Sequence, residues 1–128
     1  MILFAPRESD RSESRAAVDP ASAKKLVGLG LEVVVETGLG VASGHSDADY
    51  EEAGATVVKS KAATLAKADI VVRVRKPAAA DIAKHKDGAL AVSFLDPFNE
   101  PELLGKFAAA GTSAISMEMM PRSTLAQK

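Results

Sequence analysis

Short apolar runs alternate with helical stretches along almost the whole of this 128-residue chain, and that alternation is its most restrictive feature. Six runs rich in Val, Ile or Ala predict strands at residues 2–5, 31–36, 55–58, 70–74, 89–94 and 112–117. Continuous apolar runs of this length are typical of strands that are covered on both faces. Strands that alternate with helices of roughly 8–12 residues predict crossover connections and a parallel sheet.

Helix caps lie between the predicted strands. Asp19 is the predicted N-cap of the first helix, and Pro20 is its first helical residue. Gly30 ends that helix. Ser46 and Asp49 resemble a capping box, with aspartate in place of the usual Glu or Gln. Further helices are predicted after Ser60 to about Asp69, after Pro77, and from Asn99 with Glu102 to Gly111. The predicted fold class is α/β, a single domain (residues 1–128) with a mostly parallel, Rossmann/flavodoxin-like sheet flanked by helices.

The composition sets limits on the function. A hydrophobic share of 47% allows a real core, and a net charge of −1 gives no electrostatic indication of nucleic acid or of an anionic membrane surface. The chain has no cysteine, which excludes disulfides, thiolate catalysis and cysteine-based metal sites. No apolar stretch approaches the roughly 18 residues of a membrane span, and the N-terminus is not a signal peptide. We therefore expect a cytoplasmic protein without direct membrane insertion.

A glycine-rich segment, GLGVASG, runs from Gly38 to Gly44 between a predicted strand and a helix. This context is similar to that of a dinucleotide-binding loop, but the spacing is one residue too long. The next strand also lacks the acidic residue that would bind a ribose hydroxyl. We predict a glycine-rich turn here and no nucleotide.

Charged residues follow the predicted ends of several strands, where parallel α/β proteins bind ligands. Arg7, Arg11 and Arg15 follow the first strand, while Arg75 and Asp96 follow two later ones. Arg15, Arg75 and Asp96 are expected at one crevice, as a binding site or as a structural ion pair. For Arg7 and Arg11 we favour ion pairs on a solvated loop with Glu8, Asp10 and Glu13.

The two histidines, His45 and His85, are isolated, and neither has a histidine or carboxylate at metal-ligand spacing. We expect no metal site, and we expect both side chains at the surface. A nucleophile elbow of the G-x-S-x-G type is also missing, so nothing in the sequence supports hydrolytic chemistry.

The N-terminal segment APRESDRSESRAAVDPASAKKLVGLG resembles the opening signature of alanine dehydrogenases and transhydrogenase alpha subunits. The positions that match are Pro6, Glu8, Glu13, Arg15, Ala17, Pro20, Ser22, Leu26 and Gly30. The departures are Phe4, Ser12, Ala16 and Asp19. The segments LEVVVETGLG, SDADYEEAGA and ADIVVRVRKP follow in the expected order, so the resemblance spans the whole chain.

Two positions distinguish the members of this family. The resemblance places Arg15 on the substrate-binding arginine of alanine dehydrogenases, but it places Arg75 on their lysine and Asp96 on their histidine. Without that histidine the expected acid–base group for alanine dehydrogenase chemistry is missing. The chain therefore looks closer to a transhydrogenase alpha subunit.

The segment SMEMMPRSTLAQK is similar to a transhydrogenase segment that contacts NAD(H). The resemblance implies that Arg122 and Gln127, with Ser123 and Thr124 between them, bind this cofactor, and it implies no catalytic residue in this chain. The complete protein would bind NAD(H) and transfer hydride between NADH and NADP⁺, with NADP(H) on a partner component. The resemblance also implies a homodimer held at the cytoplasmic face of the inner membrane through its membrane and NADP-binding partners.

The C-terminal residues 124–128 contain good helix formers and no stop signal, so we expect a fragment that ends before the dinucleotide-binding core. Such a fragment would bind NADH weakly or not at all and would be inactive alone. Two alternatives stay open: an alanine dehydrogenase-like NAD-dependent oxidoreductase, and a non-catalytic α/β assembly module.

Overall fold

A computed structural model describes residues 1–8, 15–75, 79–94, 109 and 111–116 of the chain. It contains a six-stranded sheet whose strands all agree with the predicted runs to within one residue at each end. The strands are β1 (Ile2–Ala5), β2 (Glu32–Glu36), β3 (Thr56–Val58), β4 (Ile70–Arg75), β5 (Leu90–Phe94) and β6 (Ser113–Ser116). The predicted α/β class is confirmed.

The strand order is β3-β2-β1-β4-β5-β6, and every neighbouring pair is parallel. The chain moves outward from β1 to β3 on one side and then returns to place β4 on the other side of β1. This reversal makes the gap between β1 and β4 the topological switch point, which is where open α/β sheets bind ligands beyond the carboxyl ends of their strands.

Four α-helices are described between the strands: α1 (Pro20–Gly28), α2 (Asp47–Glu52), α3 (Lys61–Leu65) and α4 (Ala79–Ile82). A single 3₁₀ turn, Val41–Ser43, precedes α2. None of the helices in the described part of the chain is long and apolar enough to cross a membrane. The helix predicted from Asn99 to Gly111 falls almost entirely outside the described residues.

The predicted caps of α1 and α2 are present, whereas Asn99 and Glu102 lie outside the described residues. Asp19 accepts a 2.7 Å hydrogen bond from the Ser22 amide with Pro20 at the first helical position, and Gly30 follows α1 with φ of 94°. Ser46 and Asp49 form the reciprocal capping box of α2. These side chains satisfy amides that the first turn of a helix leaves without intrahelical partners.

Helix α3 is shorter than the sequence predicts, because it ends at Leu65 and not near Asp69. The Asp69 amide donates to the Ile2 carbonyl at 2.9 Å, and the Asp69 carboxylate accepts the Ile2 amide at 2.8 Å. The chain must leave the helix early to bring Asp69 beside β1, so tertiary pairing overrides the local helix propensity.

The core lies on both faces of the sheet. Along β1, Leu3 and Ala5 pack on the face covered by α1 and α2, whereas Phe4 packs with Leu65 of α3 on the other. This alternation follows from the two-residue period of a strand. Phe4 and Leu65 are fully buried, and burial of each contributes roughly 1.5–3 kcal/mol.

Candidate functional site

The carboxyl edge of the sheet at the switch point is the candidate functional site. The chain leaves β1 at the buried Pro6 and continues into Arg7 and Glu8, while neighbouring β4 ends at Arg75. The side chains of Arg7, Arg15 and Arg75 are exposed. Guanidinium groups at such an edge can pair with carboxylates or phosphates.

Glu8 connects the loop after β1 to the end of β4. One carboxylate oxygen accepts the Arg75 amide at 2.7 Å, and the other accepts the Val74 amide at 3.0 Å. The expected ion pairs of Glu8 with arginines stay a prediction, because Arg11 lies outside the described residues, but the described partners of Glu8 are backbone amides of β4. The backbone of β4 is a better partner because two fixed amides satisfy both carboxylate oxygens at once.

The same loop is also attached to β2. The amide of Arg7 donates to Glu36 at 2.8 Å, and the Arg7 guanidinium lies against Gly38, where an added Cβ would be 3.4 Å from Arg7 Cζ. Two carboxylates thus fix the start of the loop that follows β1. Glu36 connects it to β2 on one side of β1, and Glu8 connects it to β4 on the other side. Arg11, Asp10 and Glu13 lie outside the described residues.

The glycine-rich segment folds as a turn followed by the 3₁₀ turn, in agreement with the turn interpretation. Asp47 accepts the Gly38 amide at 2.9 Å, and it also accepts the Thr37 hydroxyl. These two hydrogen bonds, the hydroxyl first, hold the pKa of Asp47 below its usual value. A phosphate would have to displace this carboxylate to reach the Gly38 amide.

Tyr50 is the largest fully buried side chain of the described core, and it belongs to none of the motifs predicted from the sequence. Its hydroxyl donates to the Val18 carbonyl at 2.7 Å and ties α2 to the segment before α1. Burial, aided by the charges of Asp19 and Asp47, raises the pKa of Tyr50 to about 12. The signal in the sequence was a lone tyrosine in a polar helix, where an aromatic ring indicates the buried face.

His85 is buried, so the expectation of a surface position is wrong. Lys84 and Lys86 on either side of His85 are exposed and pair with Asp81 and Asp69. The Lys86 amide donates to the Leu65 carbonyl at 3.2 Å, which holds this segment against the end of α3. Tertiary packing therefore turns the histidine inward while its neighbours face outward.

Arg73 forms a buried polar cluster with His85. Its Nη2 atom lies 3.3 Å from His85 Nε2, and buried Asp81 is bridged at 2.9 Å by Lys61. Burial, and then the Arg73 charge, lowers the pKa of His85 to about 4, while burial lowers the pKa of Arg73 to about 10. His85 is therefore neutral at physiological pH and is no acid catalyst there.

The remaining predicted site residues lie outside the described part of the chain. They are Asp96, Arg122, Ser123, Thr124 and Gln127. Within residues 1–8, 15–75, 79–94 and 111–116, no group of three or more His, Cys, Asp or Glu side chains could hold a metal ion. In the described part of the chain, Arg7 and Arg75 lie at the carboxyl edge of the sheet. His85 is buried elsewhere, against Arg73.

The fold and the site define a class of protein. It is a parallel α/β domain that has the strand order of dinucleotide-binding folds and charged loops at its switch point. Comparison with known proteins makes the assignment specific. The chain belongs to the family described as alanine dehydrogenase/PNT, N-terminal domain, whose sequence profile matches residues 4–128.

The chain is 41% identical over 128 residues to the NAD(P) transhydrogenase subunit alpha of Cereibacter sphaeroides, covering 100% of the chain and 24% of that subunit. The crystal structure of transhydrogenase from Sinorhizobium meliloti superimposes with a TM-score of 0.94 and 42% identity, covering 99% of this chain and 38% of that one. An L-alanine dehydrogenase structure superimposes with a TM-score of 0.84 and 31% sequence identity. That match covers 91% of this chain and 32% of the alanine dehydrogenase chain. The chain thus spans about a quarter of the length of the first of these relatives.

Proposed function

We propose that the complete protein is the NAD(H)-binding alpha component of a proton-translocating NAD(P) transhydrogenase, and that this chain supplies its N-terminal domain. The supporting observation is the identity of 41–42% over essentially the whole chain to two transhydrogenase proteins, against 31% to an L-alanine dehydrogenase. In this proposal the component forms a homodimer. It lies at the cytoplasmic face of the inner membrane through its membrane and NADP-binding partner components.

The proposed chemistry is hydride transfer between NADH and NADP⁺. Transfer between two nicotinamide rings requires close positioning of the rings and no acid or base from the protein. Arg122 and Gln127, with Ser123 and Thr124 between them, would position NAD(H), while NADP(H) would bind to the partner component. Burial and a lowered pKa keep His85 neutral at physiological pH, so this residue supplies no proton there.

The second candidate is an alanine dehydrogenase-like oxidoreductase in which Arg15 binds the substrate carboxylate beside Arg75 and Asp96. The TM-score of 0.84 to an L-alanine dehydrogenase favours it, as do the exposed positions of Arg15 and Arg75. Against it is the residue at position 96, where the resemblance expects a histidine and the sequence has aspartate. A non-catalytic assembly module is the third candidate.

Two assays on the complete protein, assembled with its membrane and NADP(H)-binding components, separate these candidates. The first follows reduction of the NAD⁺ analogue 3-acetylpyridine adenine dinucleotide by NADPH, and the second follows NADH oxidation by pyruvate with ammonium. We expect turnover only in the first assay. Turnover only in the second assay would establish the alanine dehydrogenase-like alternative, and turnover in neither would favour the assembly module.

The proposed role of Gln127 has its own test in the complete protein. Gln127→Ala is expected to slow hydride transfer by roughly ten-fold or more, because loss of one positioning contact misplaces the reacting ring. The neighbouring substitution Lys128→Ala is the matched control and should leave the rate unchanged. An unchanged rate in Gln127→Ala would remove this residue from the NAD(H) site.

A further inference from the structure

The end of β4 presents two backbone amides to a single anion. The pairing of β1 with β4 extends only to Phe4 and Val71, so the later residues of β4 have no β1 partner on that side. Between Val72 and Arg75 the register with β5 shifts by one residue, a bulge-type irregularity. In a regular strand successive amides point to opposite sides, but a bulge rotates one of them. Consecutive amides that converge in this way form an anion-binding concavity.

The occupant of this concavity is a carboxylate from the chain itself. Glu8 places one oxygen 2.7 Å from the Arg75 nitrogen and the other 3.0 Å from the Val74 nitrogen, across 66 and 67 residues of sequence. Distances of this kind are typical of charge-assisted hydrogen bonds. The carboxylate therefore substitutes for the β1 backbone beyond the point at which the strand pairing ends.

We propose that the carboxyl end of β4 is an anion-binding site filled by the chain's own Glu8, and that Glu8 is the positioning residue for the backbone that carries Arg75. With Glu8 in place, neither the Val74 amide nor the Arg75 amide is free for an external anion. An external phosphate would have to displace Glu8 to reach these two amides.

A chemical rescue experiment on the full chain tests this proposal with formate as the probe. Removal of the side chain in Glu8→Ala should shift the Val74 and Arg75 amide resonances more than those of the rest of β4. Formate should then return both resonances toward their wild-type positions saturably, whereas chloride at equal ionic strength should not. The thermal midpoint of the variant should rise with formate along the same curve.

Two matched variants show whether the effect belongs to the vacated site. Glu8→Gln fills the same space with one acceptor oxygen in place of two, so it should be destabilised and should not respond to formate. Glu52→Ala removes an exposed acid of α2 and should respond to formate no more than the wild type does. If Glu8→Ala fails to fold, recovery of folded protein in formate and not in chloride supports the proposal.

Three results would overturn it: equal responses of Glu8→Ala to formate and chloride, unchanged Val74 and Arg75 resonances in that variant, or equal failure to fold in both salts. None of these measurements involves hydride transfer. Failure here and failure of the transhydrogenase assignment are therefore distinguishable.

Discussion

At the scale of single residues, Gly40 is the position where a small change should have the largest local effect. An added Cβ would lie 2.8 Å from the Tyr50 ring and 2.9 Å from His45 Cβ, although the φ of −97° is open to any residue. Gly40→Ala should therefore lower the free energy of unfolding by about 1–3 kcal/mol through overpacking alone. Urea denaturation measures this loss.

Gly28 provides the matched control for Gly40, because an added Cβ there meets nothing within 4 Å and the residue belongs to α1. Gly28→Ala should stabilise the protein by up to about 1 kcal/mol through the better helix propensity of alanine. Equal effects of the two substitutions would contradict the packing argument for Gly40.

His85 should give the protein a pH-dependent stability in a defined window. Its pKa falls from the usual 6.5 to about 4 on folding, so between these values the unfolded chain binds a proton that the folded chain does not. The free energy of unfolding should rise by about 2 kcal/mol from pH 4 to pH 6.5 and then level off.

The variant His85→Gln isolates this contribution because glutamine does not titrate. It should be less stable than the wild type at pH 7, since it loses the contact with Arg73, but its stability should change less between pH 4 and 6.5. Denaturation midpoints at several pH values provide the comparison. Parallel pH profiles for the two proteins would show that His85 titrates normally.

At the scale of elements, the cap of α1 predicts a second pH effect of the same sign at lower pH. The amide of Ser22 lowers the pKa of Asp19 from its usual 3.8, so the stabilisation is present above that value and is lost as the pH falls below it. Asp19→Ala should cost about 1 kcal/mol at pH 7. The difference from the wild type should shrink as the pH falls below 3.8 and wild-type Asp19 becomes protonated.

The caps illustrate what local sequence could predict about the elements. Asp19 and Ser46 each accept an amide three residues away, so both partners of each hydrogen bond lie within one short stretch of sequence. The end of α3 is different, because it depends on Asp69 pairing with Ile2 across 67 residues. A prediction from neighbouring residues extends that helix too far.

At the scale of the whole molecule, the fold predicts weak or absent NADH binding by this chain alone. The Gly38 amide is occupied by Asp47, and the amides at the end of β4 are occupied by Glu8. Isothermal titration with NADH should show no saturable binding at micromolar concentrations, and the complete protein is the positive control. Micromolar affinity of this chain alone would show that it contains a complete nucleotide site.

The sequence by itself determined the α/β class, the six strands and the helix caps. These depend on hydrophobic runs and on contacts within one turn of helix, which short-range physics specifies. Only the tertiary structure decided the burial of His85, the partner of Glu8 and the early end of α3. Each depends on an atom supplied by a distant segment: Arg73 for His85, the β4 amides for Glu8, and Ile2 for Asp69. Parallel strands bring such segments together only after the crossover connections form. A pattern in neighbouring residues therefore cannot identify the distant residue that each of these side chains contacts.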